Sequence, residues 1–462
     1  MKVQEPAAES FLHRLWERQL AGKELRTLDG RVVEILSPGT PNRDAGPDYR
    51  DATLRMDGRL IHGDIEIHPT AEDWVRHGHH RDPRYNNVVL HIVTCGCSSR
   101  ARTVRADGAK VPIVDLDQHL PTPAEEMERR QIAAGAPTKD DGGCPLALAS
   151  ESQKLRAISE ASSQRLQLKI DRFREERQYA DWDHVAYRGI FEALGYSKNQ
   201  APARVLADRM PVSDLWHFAQ GYPDAEAVAH MQAWLLGASG LLAAAPQDAE
   251  PLASEFIRSQ SSLWQSYPNR RKTDPLTAVD WRFFRLRPAN FPTRRIAAMA
   301  VLVVRHRQEG FLGSWSRLLR QSAQLRGRLH QELERTLVVE AWGFWSQRDC
   351  FLTGKRYRAG RAPQLLGRDR ARDIIINIVL PILVAYAEET GDGILRAAAE
   401  EAYATCPKLP ENEILRAMGA RLWKCPDEAG QSVTTAALQQ GLIQLYKYGC
   451  RMGDCSFCSN FV

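Results

Sequence analysis

The sequence lacks an apolar run long enough to cross a bilayer, and its first ten residues (MKVQEPAAES) lack the apolar core of a secretory signal. We therefore expect no transmembrane helix, no secretion and a location in the cytoplasm. The sequence also lacks a P-loop, a Rossmann glycine pattern and a G-x-S-x-G elbow, which argues against the common nucleotide-binding and serine-hydrolase sites. Its net charge of +5 over 462 residues is small, so it permits an anionic partner without requiring one.

What is present is the composition of an ordinary folded protein, with 43% hydrophobic and 26% charged residues. Alternating apolar residues predict strands in the first part, and apolar residues at helical spacing dominate the rest, for example over 151–177 and 373–390. Within the second of these segments, Pro381 predicts a kink. We predict an α+β fold. Residues 1–120 form an α/β domain with a mixed sheet, residues 121–144 a linker, and residues 145–462 a large all-α domain that ends in a cysteine cluster.

The most informative stretch is residues 47–68 (PDYRDATLRMDGRLIHGDIEIH), which reads as two strands joined by a tight turn at Asp57-Gly58. Asp64, Glu66 and His68 follow one another at spacing two, so a strand places them on one face. Asp48, at the start of the first strand, is expected to reach the same face. Carboxylates that converge in this way repel each other unless a cation joins them.

These residues predict a divalent metal site of Asp48, Asp64 and Glu66, whose oxygen ligands suit magnesium or manganese. The alternative is a half-exposed strand whose polar side chains face water. Glu17, on a helix predicted over 10–20, could approach the site, although a surface position is the simpler interpretation.

Histidines follow this stretch in the segment HGHHRD, residues 77–82. Their spacing fits no standard zinc pattern, so they either supply a loop to the site or form an exposed cluster. His91 lies in an apolar strand, where we expect a hydrogen-bonded core histidine.

Cysteines at the end of the chain give a second metal signal, formed by Cys450, Cys455 and Cys458. Three thiols this close indicate zinc or an iron–sulfur cluster, with free thiols as the alternative. A fourth ligand is needed, and we favour Cys144 over Cys425 and Cys406.

An arginine-rich segment, residues 281–295 (WRFFRLRPANFPTRR), interleaves basic and aromatic residues. Guanidinium groups pair with phosphates and aromatic rings stack on bases, which predicts a nucleic-acid surface. The alternative is a helix junction whose arginines bind backbone carbonyls. The arginines are Arg282, Arg285, Arg287, Arg294 and Arg295.

The chain as a whole resembles an uncharacterised bacterial family catalogued as domain of unknown function 2851. The resemblance implies no activity. It is carried by WERQL at 16–20, GPDY at 46–49, GDIEIH at 63–68, DWVRHGHHRDPRYNNVVLHIV at 73–93, RLRPANFPTRR at 285–295, INIVLPIL at 376–383 and CRMGDCSFC at 450–458.

The first part also resembles the core of the PD-(D/E)XK nuclease superfamily, in the element order helix, three strands, helix, strand and in Pro47-Asp48 and Glu66-Ile67-His68. This resemblance implies metal-dependent phosphodiester hydrolysis or binding of nucleic acid, with Asp48, Glu66 and His68 as catalytic residues. His68 occupies the place of the usual lysine and could instead bind the metal or act as a base. Some nucleases with this core carry a similar cysteine clasp. The other hypothesis is a non-catalytic structural or partner-binding protein that retains an inactive nuclease core.

Overall fold

In the computed structural model the chain forms two compact units, residues 1–143 and 144–462. The first contains the β-sheet and the second is helical, which confirms the α+β prediction at that level. The boundary between the units falls at the end of the predicted linker. The structure describes residues 9–17, 20–22, 24–42, 46–94, 101–124, 126–127, 144–246, 249–325, 327–352, 356–357, 362–423, 430–450 and 458.

The amino-terminal unit is built on a mixed sheet. Its described elements are helices α1 (Glu9–Glu17) and α2 (Asp73–Arg76) and strands β1 (Glu24–Arg26), β2 (Val32–Ser37), β3 (Thr40–Pro41), β4 (Tyr49–Met56), β5 (Arg59–Ile67), β6 (Val88–Val93), β7 (Thr103–Val104), β8 (Lys110–Val111) and β9 (Ile113–Asp115). The main sheet has the order β1-β2-β4-β5-β6-β9, with β3 against β4, while β7 and β8 pair separately. Strands β4 and β5 are antiparallel, and β6 is parallel to both β5 and β9.

The β4–β5 hairpin turns where the sequence predicts. Asp57 and Gly58 have φ angles of 51° and 76°, as a two-residue hairpin turn with positive φ at both central positions requires. Ile65 and Ile67 on β5 lie in the core against α1 and the neighbouring strands. The opposite face of β5 is also covered, so Asp64, Glu66 and His68 are buried. The alternative of a polar strand face in contact with water is therefore wrong.

The carboxy-terminal unit packs its helices around one large apolar cluster and a smaller one. Its described α-helices are α3 (Pro145–Leu148), α4 (Glu151–Arg177), α5 (Trp182–Leu194), α6 (Gln200–Arg209), α7 (Val212–Ala219), α8 (Asp224–Ala238), α9 (Pro251–Gln265), α10 (Pro292–Arg305), α11 (Gly310–Arg320), α12 (Leu329–Leu337), α13 (Arg368–Ile374), α14 (Leu380–Thr390), α15 (Gly393–Ala404), α16 (Glu413–Leu422) and α17 (Ala436–Leu445). Within the described part of the chain, no helix combines the length and apolar character that crossing a membrane requires.

The helical segment predicted over 373–390 contains a π-helical turn at Ile375–Val379, between α13 and α14. Pro381 has no N–H group, so the carbonyl of Asn377 loses its α-helical donor. The side chain of Asn377 donates to the Asp373 carbonyl (2.8 Å) and accepts from Lys169 Nζ (2.6 Å). Proline therefore changes the local helix type at this point of the segment.

Candidate metal centre

Asp48 and Glu66 lie beside each other, one immediately before β4 and the other near the end of β5. The Asp48 N–H donates to Glu66 Oε2 (3.0 Å), and the Ile67 N–H donates to Asp48 Oδ2 (2.9 Å). These bonds fix both carboxyl groups on the same side of the hairpin. The sequence predicted this convergence from the alternation of side chains along β5.

The environment of Glu66 disfavours its negative charge. Its side chain is only 4% exposed, and Asp48 is the nearest carboxylate that opposes its ionisation. Burial, together with this neighbouring charge, raises the pKa of Glu66 well above its ordinary value. A carboxyl group in such a place carries a proton unless a cation takes its position, so the donor set fits a divalent ion.

Helix α1 brings two further groups to Asp48. His13 Nε2 lies 3.4 Å from Asp48 Oδ2 and 3.9 Å from Glu9 Oε1. Although burial lowers the pKa of His13, the nearby Asp48 and Glu9 carboxylates raise it above its ordinary value overall. Each of these three residues offers one ligand atom, and the atoms lie within 4.8 Å of one another.

The sequence analysis missed this contribution and considered Glu17 instead. The available signal was the helical spacing of Glu9 and His13, which are four residues apart and so share one face of α1.

A second cluster of ligand atoms lies on the other side of Glu66. His68, His77 and His79 each offer one ligand atom within 4.8 Å of the others. His68 Nε2 lies 3.2 Å from His77 Nδ1, and Glu66 Oε1 lies 3.0 Å from His79 Nε2 and 3.4 Å from His68 Nε2. Gly78, with φ of 80°, turns the chain so that the histidines on either side of it both reach this point. The segment thus supplies a loop to the site rather than only an exposed cluster.

Outer partners hold these histidines in place. His68 Nδ1 lies 3.0 Å from His91 Nε2, and His91 Nδ1 lies 2.8 Å from Thr103 Oγ1. His91 is fully buried, as expected for a hydrogen-bonded core histidine. The ring of His79 stacks on Tyr85 with 3.8 Å between centroids.

The buried imidazoles favour the neutral form. Burial lowers the pKa of His68 to about 4 and lowers the pKa values of His79 and His91 as well. A neutral imidazole is the form that binds metals. His68 therefore lacks the positive charge of the lysine whose place it takes.

Asp64 lies on the same face of β5 but has other contacts. Its Oδ1 accepts from the Asp51 N–H (3.2 Å), within the irregular part of β4 where the register to β5 shifts. Burial raises its pKa above the ordinary value. Its predicted role as a metal ligand stays a prediction.

The arginine-rich segment divides into two groups. Arg294 and Arg295 are buried at the start of α10, so their assignment to a nucleic-acid surface is wrong. Arg294 Nη1 donates to the carbonyls of Trp345 and Arg348, each at 3.0 Å, and Arg295 Nη1 donates to the Leu365 carbonyl. For these two residues the helix-junction alternative describes what the guanidinium groups do.

The other three arginines, Arg282, Arg285 and Arg287, are exposed. Phe284 beside them is 73% exposed, and the Arg285 guanidinium lies over its ring at 5.2 Å. The buried side chain of Asn199 holds this loop by accepting from the Arg282 N–H (2.7 Å) and donating to its carbonyl (2.9 Å). An exposed basic and aromatic surface therefore remains on a fixed loop.

Three of the predicted cysteine ligands belong to one packing cluster of the helical unit. Cys458 is buried there, with Cys144 and Cys450 packed against the same cluster. Cys406 belongs to a different apolar cluster, where burial raises its pKa to about 12. Cys455 and Cys425 lie outside the described residues.

These features define a protein of two units, in which a mixed sheet carries a buried cluster of histidines and carboxylates. A family model described as a protein of unknown function (DUF2851) matches residues 9–412, and the chain belongs to this family. Comparison with curated proteins and with solved structures gives no match.

Proposed function

We propose that the amino-terminal unit hydrolyses phosphodiester bonds in nucleic acid with the help of a divalent metal ion. The observation that carries this proposal is the convergence of Asp48 and Glu66, each bound to the backbone beside the other. Supporting it, α1, β2, β4, β5, α2 and β6 follow the order helix, three strands, helix, strand of the nuclease core that the sequence resembles.

Asp48 and Glu66 would hold the ion, which when bound polarises a phosphate oxygen and lowers the pKa of water. His13 is the imidazole best placed to contact the substrate, because its side chain is 31% exposed and adjoins Asp48. His68 is 1% exposed and faces other histidines, so we assign it to holding the site rather than to replacing the lysine.

The proposal predicts that the purified full-length protein cleaves DNA or RNA with Mg²⁺ or Mn²⁺ and stops when a chelator is added. Asp48→Asn should reduce this activity by about 10²–10³-fold, because it removes an anionic ligand. Asp57→Asn is the matched control, since asparagine suits the same turn position. A protein that binds no divalent ion at these acids and cleaves neither nucleic acid would favour the non-catalytic alternative.

We further propose that Arg282, Arg285 and Arg287 contact phosphates while Phe284 stacks on a base. Their exposure and the fixed loop support this assignment. The Arg282→Ala/Arg285→Ala double variant should weaken binding of single-stranded nucleic acid and reduce the slope of log K against log salt by about two. Arg258→Ala, an exposed arginine on α9, should leave both unchanged, and equal binding by the double variant would contradict the assignment.

The cysteines suggest a zinc or iron–sulfur clasp, and the common packing cluster of Cys144, Cys450 and Cys458 supports it. Metal analysis combined with an absorption spectrum tests this proposal. A broad visible band would indicate iron–sulfur, whereas colourless protein that contains zinc would indicate a zinc site. Metal content unchanged in Cys450→Ser and Cys458→Ser would contradict it.

A further inference from the structure

We propose that His68, His77 and His79 form a binding site for a transition-metal ion of the zinc class. Glu66 completes this site with Oε1, while its Oε2 faces the Asp48 position. The inference deepens the proposed function, on which its catalytic consequence rests, but binding of the ion is measured separately.

The spacing of the donor atoms matches a tetrahedral ligand set. Zinc binds imidazole nitrogen and carboxylate oxygen at about 2.0–2.2 Å, which places neighbouring tetrahedral ligands about 3.3 Å apart. The described separations are 3.2 Å for His68 Nε2 to His77 Nδ1, and 3.4 Å and 3.0 Å from Glu66 Oε1 to His68 and His79. An ion can therefore enter between these atoms with small movements of the side chains.

The chemistry of the ligands selects the class of ion. Imidazole nitrogen suits zinc, copper, iron and nickel, whereas magnesium and calcium prefer oxygen ligands. Three imidazoles with one carboxylate are thus a poor site for Mg²⁺. The oxygen-rich position at Asp48 and Glu9 has the opposite preference.

The outer hydrogen bonds fit the same assignment. If His68 binds through Nε2, its Nδ1–H donates to His91 Nε2, and the Nδ1–H of His91 then donates to Thr103 Oγ1. Metal-binding histidines commonly donate their second ring nitrogen in this way, which fixes the tautomer and the ring orientation. The stack on Tyr85 fixes His79 in addition.

Glu66 faces both positions, so an ion among the histidines and one at Asp48 would share a carboxylate. Two ions bound side by side stabilise both the attacking and the leaving oxygen in phosphoryl hydrolysis. Under the proposed function, the histidine site therefore contributes to phosphodiester cleavage.

The test is equilibrium dialysis of the full-length protein against zinc at neutral pH, after treatment with a chelator. Wild-type protein should retain one equivalent more than His77→Ala and His79→Ala, each of which should bind that zinc more than about 100-fold less tightly. This exceeds the tenfold to hundredfold loss typical of an outer partner. His77 is exposed, so its substitution leaves the fold intact even if that of the buried His79 does not.

His80→Ala is the matched control and should retain the wild-type zinc content, because His80 lies outside the described ligand set. Zinc bound by the cysteines is common to all variants and cancels in the comparison. Equal zinc in wild type and His77→Ala would overturn the inference. Loss of one equivalent without cleavage of any nucleic acid would support the site and contradict only the proposed function.

Discussion

Replacing Glu66 with glutamine is expected to reduce metal-dependent cleavage of nucleic acid by at least about 10²–10³-fold without loss of the fold. Because the pKa of Glu66 is raised, the metal-free protein holds this side chain protonated, and glutamine has nearly the same shape. The amide oxygen can still accept the Asp48 N–H, so stability is retained while the anionic ligand is lost. Cleavage rates with Mg²⁺ and Mn²⁺, together with a thermal melt, provide the measurement.

Glu34→Gln is the matched control for this variant. Glu34 lies on β2 of the same sheet, where its exposed side chain pairs with Arg55. Its substitution should leave both cleavage and melting temperature close to those of the wild type, since exposed ion pairs contribute little. Wild-type activity in Glu66→Gln would contradict the assignment of Glu66 as a metal ligand.

Replacing Arg294 with methionine is expected to lower the free energy of unfolding by about 3–5 kcal/mol. The guanidinium is fully buried and donates to the carbonyls of Trp345, Arg348 and Pro363. Methionine keeps the apolar stem but leaves these carbonyls without their donor. Denaturant unfolding followed by circular dichroism measures the loss.

Arg285→Met is the companion variant, because Arg285 belongs to the same segment but is exposed. We expect its stability to change by less than about 0.5 kcal/mol. If Arg294→Met were as stable as Arg285→Met, the assignment of Arg294 to a structural role would be wrong.

The local rules of the chain predicted the hairpin and its carboxylates. The Asp57-Gly58 turn fixes the register of β4 and β5, and the period of two along β5 then fixes the faces of Ile65 and Glu66. The long helix α4 (Glu151–Arg177) also agrees with its predicted range of 151–177, because its apolar spacing and its Ser150 cap are local features.

The histidine cluster could not be predicted in the same way. His68 and His77 meet because β5 pairs with β6 and Gly78 reverses the chain, and both are tertiary features. The approach of His13 to Asp48 likewise depends on where α1 packs. The arginines of 281–295 look alike in sequence, yet Arg285 and Arg294 differ in burial because only the second begins a core helix.

The most direct measurement of the central claim is the anomalous scattering of Mn²⁺ soaked into crystals of the full-length protein. The account predicts a peak within about 2.3 Å of carboxylate oxygens of both Asp48 and Glu66. The peak should be absent at this position in Glu66→Gln crystals treated in the same way. A wild-type map with manganese bound only elsewhere, or with no peak between these two side chains, would contradict the account.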